Sequence, residues 1–423
     1  MRNKRTITFL SVFFLITFFC SFALGAEKPR LVFWSPSEFV PEWNETVKRQ
    51  VEEFCKKEGA IADITFIAWS DVEPKLAAAI EAGTPPDIHK CSTGLVGFYQ
   101  AAGALVDVTD VYKKIGDRLG GWYPTASYDV TFNGRQWGIP DAFQANAMYY
   151  RKDLLDKAGV GIPGNLNEFL EVAKKVNDPS EGIYALGFPL STSGDSLMTW
   201  RAFLWSFGGK LVEEDGKTLA FDSEETLKAL TFYTDLYNKY KLIPPGATAW
   251  DNAGNNRAYL TGTCAIVYNT GSILYKMRAD QSELLAKTQI APFPGIGCNQ
   301  VFSWGVFKKG KNNELAKKLL LYLFEKEQYE KRIKAGATQS QPTLRAMADM
   351  EMWKDPYNLA MLKASENTHV YGYAGPVLAP AIAVSNARVM EEMVGRVVVD
   401  KWTPRAALDE AMKRIRDIYK AYK

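Results

Sequence analysis

The chain has 423 residues, of which 47% are hydrophobic and 23% charged, and this globular balance excludes disordered and collagen-like chains. Arg2, Lys4 and Arg5 account for the formal net charge of +3, because residues 1–26 hold no acidic residue and the remainder has 48 basic and 48 acidic residues. A formally neutral remainder has no global attraction to nucleic acid or acidic membranes, and its length predicts two or three domains.

The N-terminus is predicted to be a cleaved export signal. Its basic start precedes an uncharged apolar run at 7–24, and Ala23-Leu24-Gly25 places small residues at the −3 and −1 positions of a signal peptidase site. An uncleaved anchor is the alternative, since the run is about as long as a minimal membrane span of ~17–18 residues. The signal peptide is assigned to residues 1–26, and we expect the mature protein to be exported to the periplasm or otherwise outside the cytoplasm.

The next segment predicts strands alternating with helices. Apolar runs with β-branched residues indicate strands, and apolar residues at helical spacing indicate amphipathic helices. This order favours a mostly parallel sheet covered by helices. The strands are expected at 30–34, 62–69 and 87–91, and the helices at 43–54, 72–81 and 95–102.

A second block of alternating elements begins after residue 140. Asn165 with Glu168 and Asp222 with Glu225 are candidate capping boxes that mark helix starts. No long flexible linker separates the blocks, so any domains are joined by short crossings. Further strands are expected at 184–189 and 265–268, and further helices at 314–324 and after Thr403-Pro404.

Signatures of catalysis and of cofactor binding are scarce. His89 and His369 are the only histidines, and no Gly-x-Ser-x-Gly motif, metal-binding histidine pair or glycine-rich phosphate loop accompanies them. Two carboxylates beside tryptophans would also describe a glycosidase, but the sequence gives no reason to pair any two. We therefore expect a protein that is not an enzyme and that holds no cofactor or metal.

The four cysteines after the leader leave two alternatives open. They allow three full disulfide pairings, and isolated buried thiols are the other interpretation. No Cys-x-x-Cys pair is present, which argues against zinc and thioredoxin-like chemistry. These residues are Cys55, Cys91, Cys264 and Cys298.

Six stretches, in chain order, resemble the extracellular solute-binding proteins of ABC importers, in the group (family 1) that contains maltose-binding and other sugar-binding proteins. Each is weak alone, and their order and spacing carry the resemblance, which covers nearly all of the mature chain. They are AAAIEAGTPPDI (77–88), NGRQWGIP (133–140), YYRKDLLDKAG (149–159), YLTGTCAI (259–266), APFPG with SWGV (291–295 and 303–306), and KNNELA (311–316).

The resemblance implies the periplasmic-binding-protein type II fold, with two α/β lobes joined by a multi-strand hinge and ligand held in the cleft between them. On this basis the N-terminal lobe is expected at 27–141 plus 271–335, and the C-terminal lobe at 142–270 plus 336–423. The chain would cross between lobes near 141–143, 268–271 and 335–339. Hinge closure over the ligand would then favour the form that docks on the permease.

Candidate ligand residues come from three sources. Because rings cover the apolar faces of sugars and amides or carboxylates pair with hydroxyls, a mixture of both favours a neutral polyhydroxylated ligand. Trp34 and Trp69 could instead cap a lobe core. The carboxyl ends of the first three strands select Trp34, Ser37, Glu38, Trp69 and Ser92. The resemblance adds Phe143, Gln144, Asn146, Asn269, Gly271, Trp304 and Gly305, and loops with rings and amides add Trp250, Asp251, Gln339 and Tyr371.

The resemblance therefore implies an exported, monomeric sugar- or oligosaccharide-binding component of an ABC importer, with membrane permease subunits as partners and no role for nucleic acid. A polyol or a glycerol-phosphate-type solute is the alternative on the same scaffold. An anionic ligand would need an arginine in the cleft, for which Arg201 and Arg257 are the candidates. A secreted carbohydrate-active enzyme and a membrane-anchored receptor are the alternatives from other classes.

Overall fold

The computed structural model describes residues 28–69, 71–336 and 338–422. The predicted signal peptide lies outside them. None of the helices in the described ranges is both long enough and apolar enough to cross a membrane.

The strands are short and number thirteen in the described part of the chain. They are β1 (Arg30–Pro36), β2 (Ile61–Ile67), β3 (Ile88–Cys91), β4 (Thr131–Phe132), β5 (Arg135–Gln136), β6 (Ile139–Ala145), β7 (Ala147–Arg151), β8 (Tyr184–Leu186), β9 (Cys264–Asn269), β10 (Thr288–Ala291), β11 (Gly297–Val306), β12 (Gln341–Pro342) and β13 (Thr368–Val370).

The described residues also form seventeen α-helices. They are α1 (Pro41–Lys57), α2 (Val72–Glu81), α3 (Leu95–Ala101), α4 (Thr109–Arg118), α5 (Pro124–Tyr128), α6 (Lys152–Lys157), α7 (Leu166–Val176), α8 (Gly194–Ser206), α9 (Glu224–Asn238), α10 (Gly254–Leu260), α11 (Ser272–Ala279), α12 (Asn313–Leu323), α13 (Lys326–Ala335), α14 (Pro356–Ala364), α15 (Ala379–Asn386), α16 (Val389–Val398) and α17 (Pro404–Ala421). Short 3-10 helices lie at Pro179–Glu181, Pro245–Ala249, Leu285–Lys287, Arg345–Met347 and Glu351–Lys354.

The predicted parallel unit is confirmed as part of a seven-stranded sheet. The strand order is β12-β6-β11-β3-β1-β2, and β13 pairs with β11. β1 runs parallel to β2 and β3, whereas β11 is antiparallel to β3 and β6. A second, four-stranded sheet has the order β10-β7-β9-β8.

Local sequence signals set the helix ends. α1 starts with Pro41 in its first turn and buries Trp43, Val47, Val51 and Phe54 on one face, as the helical spacing predicts. In α7 the Asn165 side chain accepts hydrogen bonds from the backbone N–H groups of residues 167 and 168.

Two of the other helix starts were also predicted. Helix α17 begins after Thr403 as expected, and the Thr403 hydroxyl accepts from the backbone N–H of Ala406. The prediction for α9 is wrong by one residue, because Ser223 rather than Asp222 accepts from the backbone N–H of Thr226. The Ser223 hydroxyl, one position further along the chain, therefore caps the N-terminal end of α9.

Each sheet anchors a separate core, and we use these cores to define two lobes. The first lobe is the seven-stranded sheet with α1–α5, α12 and α13, and its core includes residues of 31–139 and 304–353. The second lobe is the four-stranded sheet with α6–α11 and α14–α17, and its cores include most of the buried apolar residues from 145 to 293 and from 361 to 419.

The predicted lobe boundaries at 271 and 335 are wrong. β10 pairs with β7, with Ile290 opposite Tyr149, and Ile273 of α11 packs in a core of the second lobe. Residues 272–291 therefore belong to the second lobe. In the other direction, Leu344 and Trp353 pack in the core of the first lobe. The chain crosses at Asn146 between β6 and β7, before β11, and again between Trp353 and α14. After α14 it returns to the first sheet at β13, which pairs with β11, and it then enters the second lobe at α15.

All four cysteines after the leader are buried free thiols. Burial raises the pKa of Cys55 to about 11 and those of Cys264 and Cys298 to about 12. The interpretation as isolated buried thiols is the one that the structure supports.

Candidate functional site

A cavity of about 170 Å³ lies between the two lobes. The first lobe contributes the loop after β3, and the second lobe contributes one face of α8. The first residues of β11 and the segment before and along α15 complete the wall. The residues that matter for its chemistry are Ser92, Thr93, Arg201, Asn299, Gln300 and Tyr371.

The loop after β3 is held in place by hydrogen bonds to the sheet. Thr93 Oγ1 accepts from the Val301 N–H at 2.7 Å and donates to the Val301 carbonyl at 3.0 Å. The Gly94 N–H donates to Asp129 Oδ1 at 2.8 Å. Asp129 is fully buried, and burial raises its pKa to about 7.

Gly94 lets this loop approach the second lobe. Its φ of +86° favours glycine, and a Cβ there would lie 2.6 Å from side-chain carbons of both Val377 and Ile382. Only a residue without a side chain meets both conditions. The lobes are therefore in contact beside the cavity.

Arg201 projects from the middle of α8, which begins where Ser193 accepts from the Ser196 N–H. Arg201 is 5% exposed, and its guanidinium carbon lies 3.7 Å from the centre of the Tyr371 ring. The Tyr371 hydroxyl donates to the Ala381 carbonyl at 2.6 Å, which fixes the ring beneath the cation.

Several buried polar groups near the cavity are unsatisfied. Asn299 is 1% exposed, and neither atom of its side-chain amide has a hydrogen-bond partner among the residues that the structure describes. The same holds for Oδ1 of Asn146, whose backbone N–H donates to the Cys298 carbonyl. Buried polar groups are normally paired, so these atoms indicate a place where a bound molecule supplies the partner.

A second, open groove of about 750 Å³ lies on the second lobe. Trp250 and Asp251 line it on one side and residues 391–400 on the other. Trp250 is half-buried, and its carbonyl accepts from the Ser191 hydroxyl at 2.5 Å. Ser193 of the groove directly precedes Gly194 of the cavity along the chain.

Of the sequence-predicted residues, Ser92 and Tyr371 line the cavity, and Trp250 and Asp251 line the groove. Asn146 lies at the crossing beside the Cys298 strand. The sequence reasoning did not select Asn299, and it considered Arg201 only as a partner for an anion.

Glu38, Gln144 and Gln339 come together, but with one another rather than with a cavity. The Lys90 Nζ lies 2.7 Å from Glu38 Oε1, and Gln144 Nε2 donates to Glu38 Oε2 at 3.2 Å. Gln339 Nε2 in turn donates to Gln144 Oε1 at 3.5 Å. The Glu38 side chain is only 3% exposed, so its carboxylate is already occupied.

The prediction that Trp304 faces the cleft is wrong. Its ring has no exposed surface and packs in the core of the first lobe, 5.2 Å from the Phe33 ring and stacked on Trp43 at 6.3 Å. Gly305 is also inside the sheet, opposite His89 of β3. Both residues lie on a central strand, where side chains alternate between the two faces of the sheet.

The other predicted residues lie around the hinge or in packing positions. Trp34 packs against an apolar cluster, Trp69 lies edge-on to Phe302, and Phe143 is in a small cluster of its own. Ser37 is exposed. The Asn269 Nδ2 donates to Asn256 Oδ1 at 2.5 Å, and a Cβ on Gly271 would lie 1.4 Å from the Thr338 carbonyl oxygen.

Residues 41–330 match the bacterial extracellular solute-binding proteins, and this match covers more than half of the chain. The chain belongs to this family. A Brucella abortus protein named as a binding protein is 25% identical to this solute-binding protein over 291 residues, which cover 67% of this chain and 68% of that one. The maltotriose-binding protein of Pyrococcus abyssi is 25% identical over 207 residues, covering 49% of this chain and 42% of that protein.

The same relationship appears in three dimensions. The maltose-bound MalE3 of T. maritima has a TM-score of 0.78 and 25% identity, over 92% of this chain and 99% of that one. The solute-binding protein therefore has the periplasmic-binding-protein type II fold that the resemblance implied. Members of its family are binding proteins rather than enzymes.

Proposed function

We propose that this protein captures a sugar, oligosaccharide or polyol between its lobes and delivers it unchanged to the permease of an ABC importer. One observation carries the proposal: a cavity lined by both lobes contains the buried Asn299 amide, which lacks a partner in the described part of the chain. A hydroxylated solute offers both donors and acceptors to such an amide. The maltotriose and maltose in the names of two similar proteins favour the same chemistry.

The mechanism follows from the fact that both lobes line the cavity. Ser92 and Thr93 belong to the first lobe and Arg201 to the second, so a solute that touches all three favours the closed arrangement by its differential affinity. The permease then recognises the closed form. In the same proposal the protein works as an exported monomer after removal of residues 1–26.

Binding without reaction agrees with the surroundings of both histidines. His89 is fully buried in β3, and burial lowers its pKa to about 3. His369 stacks on the Tyr373 ring, with 3.5 Å between ring centres, and burial lowers its pKa as well. Both imidazoles are neutral near pH 7, and neither lines the cavity.

A ligand screen tests the proposal. The chain from residue 27 is melted with a panel of mono- and oligosaccharides and polyols, because a ligand at 100 times its Kd adds about 2.7 kcal/mol of stability. Hits are titrated calorimetrically, and the solutes are analysed chromatographically after incubation. We expect binding without product, whereas a hit that is converted to product, or the absence of any hit, contradicts the proposal.

Asn299→Ala tests whether the ligand binds in the cavity between the lobes. It should weaken binding about tenfold, the ~1.4 kcal/mol expected for a lost hydrogen bond or two. Asn167→Ala, an exposed position in α7, is the matched control and should bind like the parent protein. Equal affinities in both variants would remove Asn299 from the site.

A further inference from the structure

Arg201 is a buried cation in the cavity between the lobes. In the described part of the chain, no Asp or Glu oxygen lies within 4.0 Å of its guanidinium, and no acceptor receives a hydrogen bond from it. Burial lowers the pKa of Arg201, but an arginine stays protonated in proteins. Its charge and its fork of N–H donors are therefore largely buried, with the Tyr371 ring beneath them.

The nearby carboxylates are engaged with another arginine. Glu391 Oε1 accepts from Arg388 at 3.3 Å. Glu391 also attracts Arg201 electrostatically, but the two are too far apart to form an ion pair. Burial raises the pKa of Glu391. Glu73 is an exposed residue of α2, and its carboxylate interacts electrostatically with Arg388. The positive charge of Arg201 thus remains without a close counter-ion.

The cavity also offers neutral donors. The Asn299 amide has unused donor and acceptor atoms within the described structure, and the Ser92 hydroxyl belongs to the same wall. A planar guanidinium that lines the same cavity as an amide and a hydroxyl suits the oxygens of a carboxylate or a phosphate, which arginine binds with two parallel hydrogen bonds.

We propose that the solute carries an anionic oxygen group, a carboxylate or a phosphate, and that Arg201 binds this group in the cavity between the lobes. The inference rests on the proposed function and narrows its substrate class to acidic sugars or polyol phosphates. The other arginine candidate differs in its surroundings, because Arg257 is exposed and forms an ion pair with Asp251 at 2.6 Å.

Matched pairs of ligands test the inference. Calorimetric titrations compare glucose with glucuronate, galactose with galacturonate, and glycerol with glycerol 3-phosphate, with maltotriose as a further neutral probe. The parent protein should bind at least one acid at least about tenfold more tightly than its neutral partner, as expected for a desolvated charge pair. The carboxylate and phosphate pairs identify which anion is used.

Variants test whether Arg201 is the residue that causes the preference for acidic ligands. Arg201→Gln should remove the preference for the acid, and Arg201→Lys should restore only part of it, since lysine keeps the charge but lacks the planar fork. Arg135→Gln, at an exposed position paired with Asp107, removes the same charge elsewhere and should change nothing. If Arg201→Gln does not fold, the comparison within each ligand pair on the parent protein still decides.

The outcomes separate the two proposals. Neutral sugars or polyols bound as tightly as their acids overturn the anionic inference and leave the proposed function intact. Loss of acid binding in Arg257→Gln but not in Arg201→Gln overturns the assignment to Arg201. Binding of no member of this panel or of the wider sugar screen contradicts both proposals.

Discussion

Glu38→Gln should destabilise the first lobe rather than weaken ligand binding. Glu38 and Lys90 are both buried, and their closest atoms are 2.7 Å apart. Lys90 also lies 3.8 Å from Asp141 and 3.7 Å from the centre of the Trp43 ring. Asp141 is in turn paired with Arg332 at 2.9 Å. These four charged side chains form a neutral cluster, and the substitution leaves it with one uncompensated positive charge.

The expected cost follows from that charge. Breaking a buried ion pair by removing one partner typically costs about 3–5 kcal/mol. We expect about 3 kcal/mol, the lower end, because the glutamine oxygen can still accept from Lys90 and Asp141 remains close to it. Lys90→Met should cost a similar amount. The double variant should cost less than the sum of the two, since it restores a neutral cluster.

Urea unfolding at pH 7 measures these free energies, and titration with a bound solute measures affinity. Glu42→Gln is the control, because Glu42 lies on the exposed side of α1 and its carboxylate only accepts from the Tyr275 hydroxyl at 3.5 Å. A loss below about 1 kcal/mol for Glu38→Gln would refute the reasoning, as that is the range of exposed ion pairs. Unchanged stability with weakened binding would show instead that Glu38 is a ligand residue.

Two further predictions concern buried residues. Trp304→Ala should lower the free energy of unfolding by about 3–5 kcal/mol, because it leaves a cavity in the core of the first lobe. The folded variant should bind solute as the parent protein does. Binding that is tenfold weaker by calorimetric titration would contradict the place of Trp304 in the core. Asp129, with a pKa raised to about 7, keeps in the folded state a proton that the unfolded state releases above pH 4. Its contribution to stability therefore falls by about 1.4 kcal/mol per pH unit between pH 4 and 7, and Asp129→Asn should remove this slope in melting curves. An unchanged slope would contradict the shift.

The sequence predicted those elements whose signals are local. Helix α1 and strands β1 to β3 follow from apolar spacing and from breakers beside them, so their existence and order were predicted correctly. The lobe boundaries could not be predicted this way. β10 is four residues long, and its pairing with β7 joins segments more than 130 residues apart, for which the sequence has no local signal.

The candidate site shows the same limit. The rule that ligands lie at the carboxyl ends of strands selected Ser92, but it applies to parallel strands. β11 runs antiparallel to β3, so its first residues, and not its last, reach the cavity. The rule therefore missed Asn299, which lies near the start of β11. Trp304 was misplaced because the resemblance put it at the cleft, whereas its neighbours Ser303 and Gly305 pair within a central strand.

The crossing at Asn146 lies beside the cavity, which would couple binding to closure in the proposed function. The Ala145 N–H donates to Gln341 Oε1 at 3.0 Å, and the Asn146 N–H donates to the carbonyl of Cys298, the residue before Asn299. Gly271 passes so close to Thr338 that no side chain fits between them. A solute that engages Asn299 therefore acts on the strand to which the crossing at Asn146 is hydrogen-bonded. In the proposed function, a small shift of that strand would be transmitted to both lobes, because close-packed segments move together.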